Sequence, residues 1–305
     1  MKVSVLIGSR DRLDVLLRCL ESVLKQRYPT FEVLILDDNS SRYCLAEEIT
    51  ARFQDERLRC FRSETPLGVA GGRNFLMEQA GGTIFCVIDD DAYFAHDDCL
   101  DEIVKAFEQQ PHLGILAAKV IDHQQGRAKL LVPFSRYARR KQPGIVNEKQ
   151  AVSYFLGTCH AVHRAVFETC GGYRADLMFG EEELDLSYRA VEHKFKLIYW
   201  PDVTVYHYPQ ASVVRQKDGY RQPELYYHIR NRFFLSYKYL PWRYIPVYLA
   251  FWLSIYGREA LKLTAGKEYW GGLKAGLAVL KSTKRTPLSA ETVRYLKFHY
   301  GRLWY

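Results

Sequence analysis

Three adjacent aspartates, Asp89, Asp90 and Asp91, close an apolar run from Ile84 to Ile88. Carboxylates in a row repel one another, so they belong at a solvated mouth or around a shared cation. On an extended backbone Asp89 and Asp91 point to one side and Asp90 to the other. The same-side pair could hold a divalent metal against a diphosphate, and a strand ending in a solvated acidic turn accounts for the same residues. A second acidic group, Glu181, Glu182 and Glu183, opens the segment "GEEELDLSYRA". Acids in the first turn of a helix are ordinary, because the macrodipole favours them there. Asp185 and Arg189 lie four apart and can pair on that helix. The carboxylate of Asp38, in "LDDNS", can accept an N–H from a pyrimidine, although Asp-Asn-Ser is also common turn chemistry. Gly71 and Gly72 allow close approach to a helix that Arg73 and Asn74 open, and helix N-termini favour anions.

Strands that alternate with helices must carry these groups. Val3 to Ile7, Phe31 to Leu36 and Ile84 to Ile88 read as buried strands. Leu13, Leu16, Leu17, Leu20, Val23 and Leu24 recur at helical spacing, and a shorter helix is expected from about Cys44 to Phe53. The order predicts an α/β fold with a mostly parallel central sheet and flanking helices. Ligands of such sheets sit beyond the carboxyl ends of the strands, where Ser9-Arg10-Asp11, Asp37-Asp38 and Asp89 to Asp91 converge. Further on, "LDEIVKAFEQ" reads as a structural helix and "GILAAKVI" as a strand. Residues 124–152 read as a long loop with a mobile basic stretch, "RYARRKQ". "FKLIYWPDVTVYH" reads as two strands separated at Pro201-Asp202, the second ending in His207. His160 and His163 are expected to be structural.

Several function classes fit poorly. No GxGxxG follows the first strand and there is no P-loop lysine pattern, which argues against a dinucleotide or P-loop enzyme. A sugar nucleotidyltransferase would want a glycine-rich basic loop where "GSRDR" stands. The net charge of +8 suits a polyanionic ligand or an anionic surface. With only one short basic run, no nucleic-acid partner is expected. The seven cysteines form no CxxC pair and read as free thiols. No secretory signal is expected, and no run reaches the roughly 20 apolar residues of a membrane span.

Taken together, "VSVLIGSRDR", "VLKQRYPTFEVLILDDNS", "LGVAGGRNFLMEQAGG" and "FCVIDDDA" resemble the nucleotide-binding half of family 2 glycosyltransferases, over about residues 1–215. The resemblance implies a GT-A fold and an inverting transfer from a nucleoside-diphosphate sugar. It places Asp38 at the nucleobase with Ser9 and Arg10 lining the same pocket, and Arg73 by the base or diphosphate. Asp89 to Asp91 become the DxD motif, with Asp91 a ligand of Mg²⁺ or Mn²⁺, Asp89 beside it and Asp90 near the nucleotide sugar. The family's "EDxDL" block puts the catalytic base on Glu183. This chain has glutamate where aspartate is usual, and its third consecutive acid keeps Glu182 in play. His207 matches a late histidine that can complete the metal site.

The expected organisation is a catalytic domain over 1–215 and a helical C-terminal region over 216–305. Within the first, 1–95 is the nucleotide half and 96–215 the acceptor and catalytic half. "YYHIRNRFFLSYKYLP" resembles the "RN…KYLP" segment that follows many such bacterial domains. The aromatic and cationic tail suits either a helical subdomain packed on the core or a helix lying in a membrane interface. Ser289, with Glu291 and Thr292 behind it, signals one more helix start. The expected activity is metal-dependent transfer from a UDP- or dTDP-sugar to a glycan or lipid-linked acceptor, at the inner face of the cytoplasmic membrane. A non-catalytic assembly subunit that keeps the fold, and a nucleotidyltransferase, are the alternatives.

Overall fold

The computed structural model describes residues 1–42, 44–124, 127–209, 222–301 and 303, with backbone only at 124, 222 and 223. The expected boundary at 215/216 lies outside the described residues. The first half runs β1 (Val3–Ser9), α1 (Leu13–Leu24), β2 (Phe31–Asp37), α2 (Leu45–Arg52), β3 (Leu58–Arg62), α3 (Gly68–Gln79) and β4 (Ile84–Ile88). These strands form a parallel block in the order β3-β2-β1-β4. Alternation decides which core each residue joins. Val3, Val5 and Ile7 of β1 pack with Leu16, Leu20 and Val23 of α1 on one face. Leu6, Leu34 and Phe85 pack with Leu76 and Met77 of α3 on the other. Both faces are covered, so the strands read as continuous apolar runs.

Beyond β4 the sheet becomes mixed. β5 (Ala92–Phe94) and α4 (Cys99–Gln109) lead to β6 (Leu113–Gln124), β7 (Arg127–Leu131), α5 (Arg136–Lys141), a 3₁₀ turn (Pro143–Asn147) and β8 (Gln150–Val152). Then come β9 (Cys159–His163), α6 (Arg164–Cys170), α7 (Glu182–Glu192) and β10 (Lys196–His207). The order continues β4-β9-β6-β10-β5, with β9 antiparallel to β4 and β6, and β10 parallel to β6. The sheet is thus mostly parallel as expected, all-parallel in its nucleotide half, with β9, β7, β8 and β5 adding antiparallel pairs to the parallel β6–β10 pair beyond it.

Two expectations need correction. Residues 124–152 are not a loop: β7 pairs with β6, β8 pairs with β10, and the basic stretch is α5, capped by Ser135 Oγ at 3.1 Å from Ala138 N. These elements are short, and β7 and α5 are largely exposed, so they carry little apolar periodicity. Nor do two strands flank Pro201. β10 is continuous, with an irregularity in its register on β6 between Tyr199 and Thr204 that accommodates the proline.

The C-terminal region is α8 (Gln222–Tyr239), α9 (Ile245–Lys262), α10 (Gly266–Ser282) and α11 (Ala290–Phe298). Ser289 caps α11 as its sequence signals, accepting from Thr292 N at 3.2 Å. A third apolar cluster joins Leu184 and Tyr188 of α7 to Ile229 and Phe233 of α8 and Tyr248 and Trp252 of α9. α10 lies close on α8 because Gly276 has no side chain: a Cβ there would meet the Phe233 ring at 2.4 Å. Among the described residues no helix is long and apolar enough to cross a membrane. The cysteines are free, with Cys19, Cys86, Cys99 and Cys159 buried.

Candidate active site

The acids after β4 sit on a turn rather than an extended strand. Asp89 N donates to Thr158 O at 2.9 Å, and Ala92 N turns back to Asp89 O at 3.0 Å. That turn replaces simple alternation as the rule for where each carboxylate goes. Asp90 is fully buried, and both of its oxygens are taken by Arg12, with Nε at 3.0 Å from Oδ2 and Nη2 against Oδ1. Arg12 Nη1 continues to Asp91 Oδ2 at 2.8 Å. The other oxygen of Asp91 lies 3.2 Å from His207 Nε2, and His207 Nδ1 lies 2.8 Å from Asp122 Oδ1. One ligand atom each from Asp89, Asp91 and His207 falls within 4.8 Å of the others.

These residues fit a divalent cation. Two carboxylate oxygens and an imidazole nitrogen suit Mn²⁺ or a similar ion. His207 is held through Nδ1 by Asp122, which directs Nε2 toward Asp91, the carboxylate–histidine arrangement that orients metal ligands. Burial lowers the His207 pKa, but Asp91, Asp89 and Asp122 outweigh it and raise it to about 9, a measure of how strongly the cluster attracts positive charge. Burial raises Asp91, and His207 and Arg12 bring it below the usual carboxylate range.

Arg73, in the first half of α3, is buried and joins the two acidic groups. Its Nη2 donates to Asp89 Oδ1 at 3.3 Å and Gly157 O at 3.0 Å, and its Nη1 donates to Glu183 Oε1 at 3.1 Å. Asn74 fixes the neighbouring turn, donating to Tyr173 O at 2.8 Å and accepting from Tyr173 N at 2.7 Å. The three consecutive glutamates have three different environments. Glu183 faces Arg73. Glu182 is buried, 3.9 Å from Arg73 at its nearest oxygen, and its Oε2 has no hydrogen-bond partner among the described residues. Desolvation, then the Glu183 charge, push its pKa up to about 8. Glu181 points away from the site toward α8, 2.8 Å from Arg232. Asp185 pairs with Arg189 at 2.6 Å, as their spacing suggests.

The nucleotide-side expectations are distributed differently. The Asp38 carboxylate accepts from Leu67 N at 2.6 Å, Gly68 N at 3.0 Å and Ser63 Oγ at 3.2 Å, so it holds the entry to α3. Ser9 is buried with its Oγ unpartnered among the described residues, while Arg10 is exposed. His160 is fully buried and bonded to Tyr173 and Leu156, in keeping with a structural role.

The glycosyl transferase family 2 model matches residues 4–171, more than half of the chain. The chain belongs to glycosyl transferase family 2. Among curated relatives it is 26% identical over 259 residues to the O-antigen biosynthesis protein RfbC of Myxococcus xanthus, covering 79% of this chain and 19% of that protein. The chain spans only 25% and 19% of the first two curated relatives it matches. Among solved structures, the Pyrobaculum calidifontis mannosyltransferase PcManGT, in complex with GDP-Man and Mn²⁺, superposes with TM-score 0.56 at 19% identity, covering 97% of this chain and 79% of that one. GalNAc-T7 with UDP, GalNAc and Mn²⁺ gives TM-score 0.63 at 18% identity, covering 92% and 57%. These likenesses establish the GT-A fold of this family 2 chain.

Arg12, Asp122, Gly157 and the partners of Glu181 join the site without a signal in the sequence. Arg12 reaches the acids because Asp11 takes a left-handed backbone conformation, φ 53°, which no residue pattern announces. Asp122 becomes visible only when the pairing of β6 with β10 sets it opposite His207.

Proposed function

We propose that this chain transfers a sugar from a nucleoside-diphosphate donor to a hydroxyl of a glycan or lipid-linked acceptor, with inversion, in cell-surface polysaccharide assembly. The observation that carries this reading is the Asp89–Asp91–His207 cluster joined through Arg73 to Glu183. Mg²⁺ or Mn²⁺ at the cluster would act as a Lewis acid toward the departing diphosphate, and the imidazole in the donor set favours Mn²⁺. Arg73 adds a fixed positive charge to the same region. Glu183 is the base: it takes the acceptor hydroxyl proton as oxygen attacks the anomeric carbon. Glu182 is the less suited of the two: burial and the Glu183 charge raise its pKa, and it stands farther from Arg73, at 3.9 Å against 3.1 Å for Glu183. Asp38, with Ser9 and Arg10 nearby, shapes the pyrimidine pocket for UDP or dTDP chiefly through its hold on the entry to α3; Asp90 serves the donor only indirectly, by anchoring Arg12.

The chain works at the inner face of the cytoplasmic membrane. In support, exposed Trp242 carries Arg285 at 3.9 Å from its ring, and Lys297 lies 5.4 Å from the Tyr244 ring. Lys297 and Phe298 in turn border a groove of about 470 Å³ with Tyr137 and Lys141. Cations among exposed aromatics suit an anionic lipid interface.

Thermal shift with UDP, dTDP and GDP, each with and without Mn²⁺, tests the donor reading. Stabilisation by a pyrimidine diphosphate is expected to need Mn²⁺ and to be lost in Asp91→Ala. Metal-independent stabilisation of equal size in Asp91→Ala would overturn the assignment.

A further inference from the structure

The segment leading into α7 is held from behind by α8. Asn231, fully buried, donates through Nδ2 to the carbonyls of Leu177, Phe179 and Gly180 at 3.0, 3.0 and 2.9 Å. Gly180 and Glu181 then take consecutive left-handed conformations, φ 72° and 73°. Glycine enters that region freely, whereas a glutamate enters it only where its surroundings hold it. The surroundings here are specific. Glu181 Oε2 pairs with Arg232 at 2.8 Å, and Oε1 lies 3.1 Å from His228 Nδ1 and accepts from Tyr256 OH at 3.3 Å.

Arg232 is itself 1% exposed, stacked 3.6 Å from the Trp252 ring and donating to Tyr248 OH at 2.8 Å. A buried guanidinium needs its counter-charge, so Glu181 cannot leave without stranding it. One turn further along, Tyr239 OH donates to Asp185 Oδ1 at 2.7 Å. Both ties run from α8 to the first turn of the helix that carries Glu182 and Glu183.

We propose that Glu181 and Arg232 are positioning residues: their buried pair fixes the left-handed entry to α7 and so sets where the Glu183 carboxylate stands relative to Arg73 and Asp89. The C-terminal helices are then part of the catalytic unit. The role for Glu183 rests on the glycosyl-transfer reading above. The third acid, unexplained by the family's block, has this structural task.

The test uses the full chain with Arg232→Met, and with the double substitution Glu181→Gln plus Arg232→Met, which removes both charges. UDP binding with Mn²⁺, UDP release from UDP-glucose, Tm, and hydrogen exchange of the 181–186 amides are measured together. Arg232→Met is expected to lower kcat by about tenfold or more, as angstrom-scale misplacement of a base does, with the UDP dissociation constant within about twofold. In the double variant Tm recovers while kcat stays low, and exchange of the Asp185 amide, bonded to Glu181 O at 2.9 Å, is faster than in the wild type. Recovery of kcat in step with Tm would show a merely structural pair and overturn the proposal. If the wild-type chain turns over no UDP-glucose, the glycosyl-transfer reading suffers and the exchange measurement still decides: faster exchange of 181–186 in both variants supports the positioning pair, and unchanged exchange overturns it.

Discussion

Replacing Gly157 by alanine tests the placement of Glu183 without touching its charge. An added Cβ would stand 2.2 Å from Glu183 Oε1 and 3.0 Å from Arg73 Nη2. Ordinary carbon–oxygen contacts begin near about 3.3 Å, so the carboxylate has to retreat by about 1 Å. It would leave a 3.1 Å contact with Arg73 and the position proposed above for the base. Displacement of that size costs up to ~10²-fold in rate, about 2.7 kcal/mol of activation free energy. Crowding a packed site costs ~1–3 kcal/mol of stability, which a domain of this size survives. The assay is steady-state turnover of donor with KM determined separately, alongside thermal unfolding. Gly266→Ala, where an added Cβ meets nothing within 4 Å, serves as the control. A fall in kcat with little change in donor KM is expected for Gly157→Ala and no change for the control. A kcat within twofold of wild type in folded Gly157→Ala protein would refute the placement of the base.

Other expectations follow from the same geometry. Glu183→Gln should retain nucleotide binding and lose turnover, while Glu182→Gln keeps most of its activity; the reverse pattern would move the base by one residue. Because the folded-state pKa of Glu182 is raised, the native state holds a proton there that the unfolded chain has released. Stability at this residue is therefore lost as pH rises from the ordinary glutamate range toward about 8. Unfolding midpoints across that window should decline less steeply in Glu182→Gln, and an identical slope would count against a neutral Glu182. Arg12→Met leaves the fully buried Asp90 carboxylate unpaired and should destabilise by about 3–5 kcal/mol. Adding Asp90→Asn should recover much of that, and equal unfolding midpoints for single and double variants would sink the pairing.

The nucleotide half was legible because its strands are buried on both faces and its helices repeat at 3.6 residues. β1, β2, β4 and α1 lie where the apolar runs put them. β7, β8 and α5 escaped notice because partly exposed, short elements are specified by pairing partners rather than by their own pattern. β10 was divided at Pro201 because a proline inside a strand is usually a break, and only the sheet shows the irregularity that absorbs it. The site divides in the same way. Asp91, Asp89, His207, Arg73 and Glu183 could be picked out by residue type and resemblance, and the fold brings them together. Arg12, Asp122 and Gly157 could not, since their positions depend on a local φ, a long-range register and a close approach. Asp38 was legible as a strand-end acid, but its hold on the entry to α3 required the loop conformation.

The register that sets His207 opposite Ala92 in the β10–β5 ladder has a consequence for how the molecule is made. Asp91 and His207 come from distant parts of the chain and meet through that pairing and the Tyr208 N to Asp91 O bond that extends it. A slip of one residue would turn His207 to the other face of the sheet. The early strands can assemble from near neighbours, whereas this contact must wait for a long loop to close. The cluster of Asp89, Asp91 and His207 is therefore complete only in the chain that has closed this register. A cation that binds it recognises finished molecules and draws the population toward them. Metal affinity in this chain would thus report the completion of folding as well as readiness for catalysis.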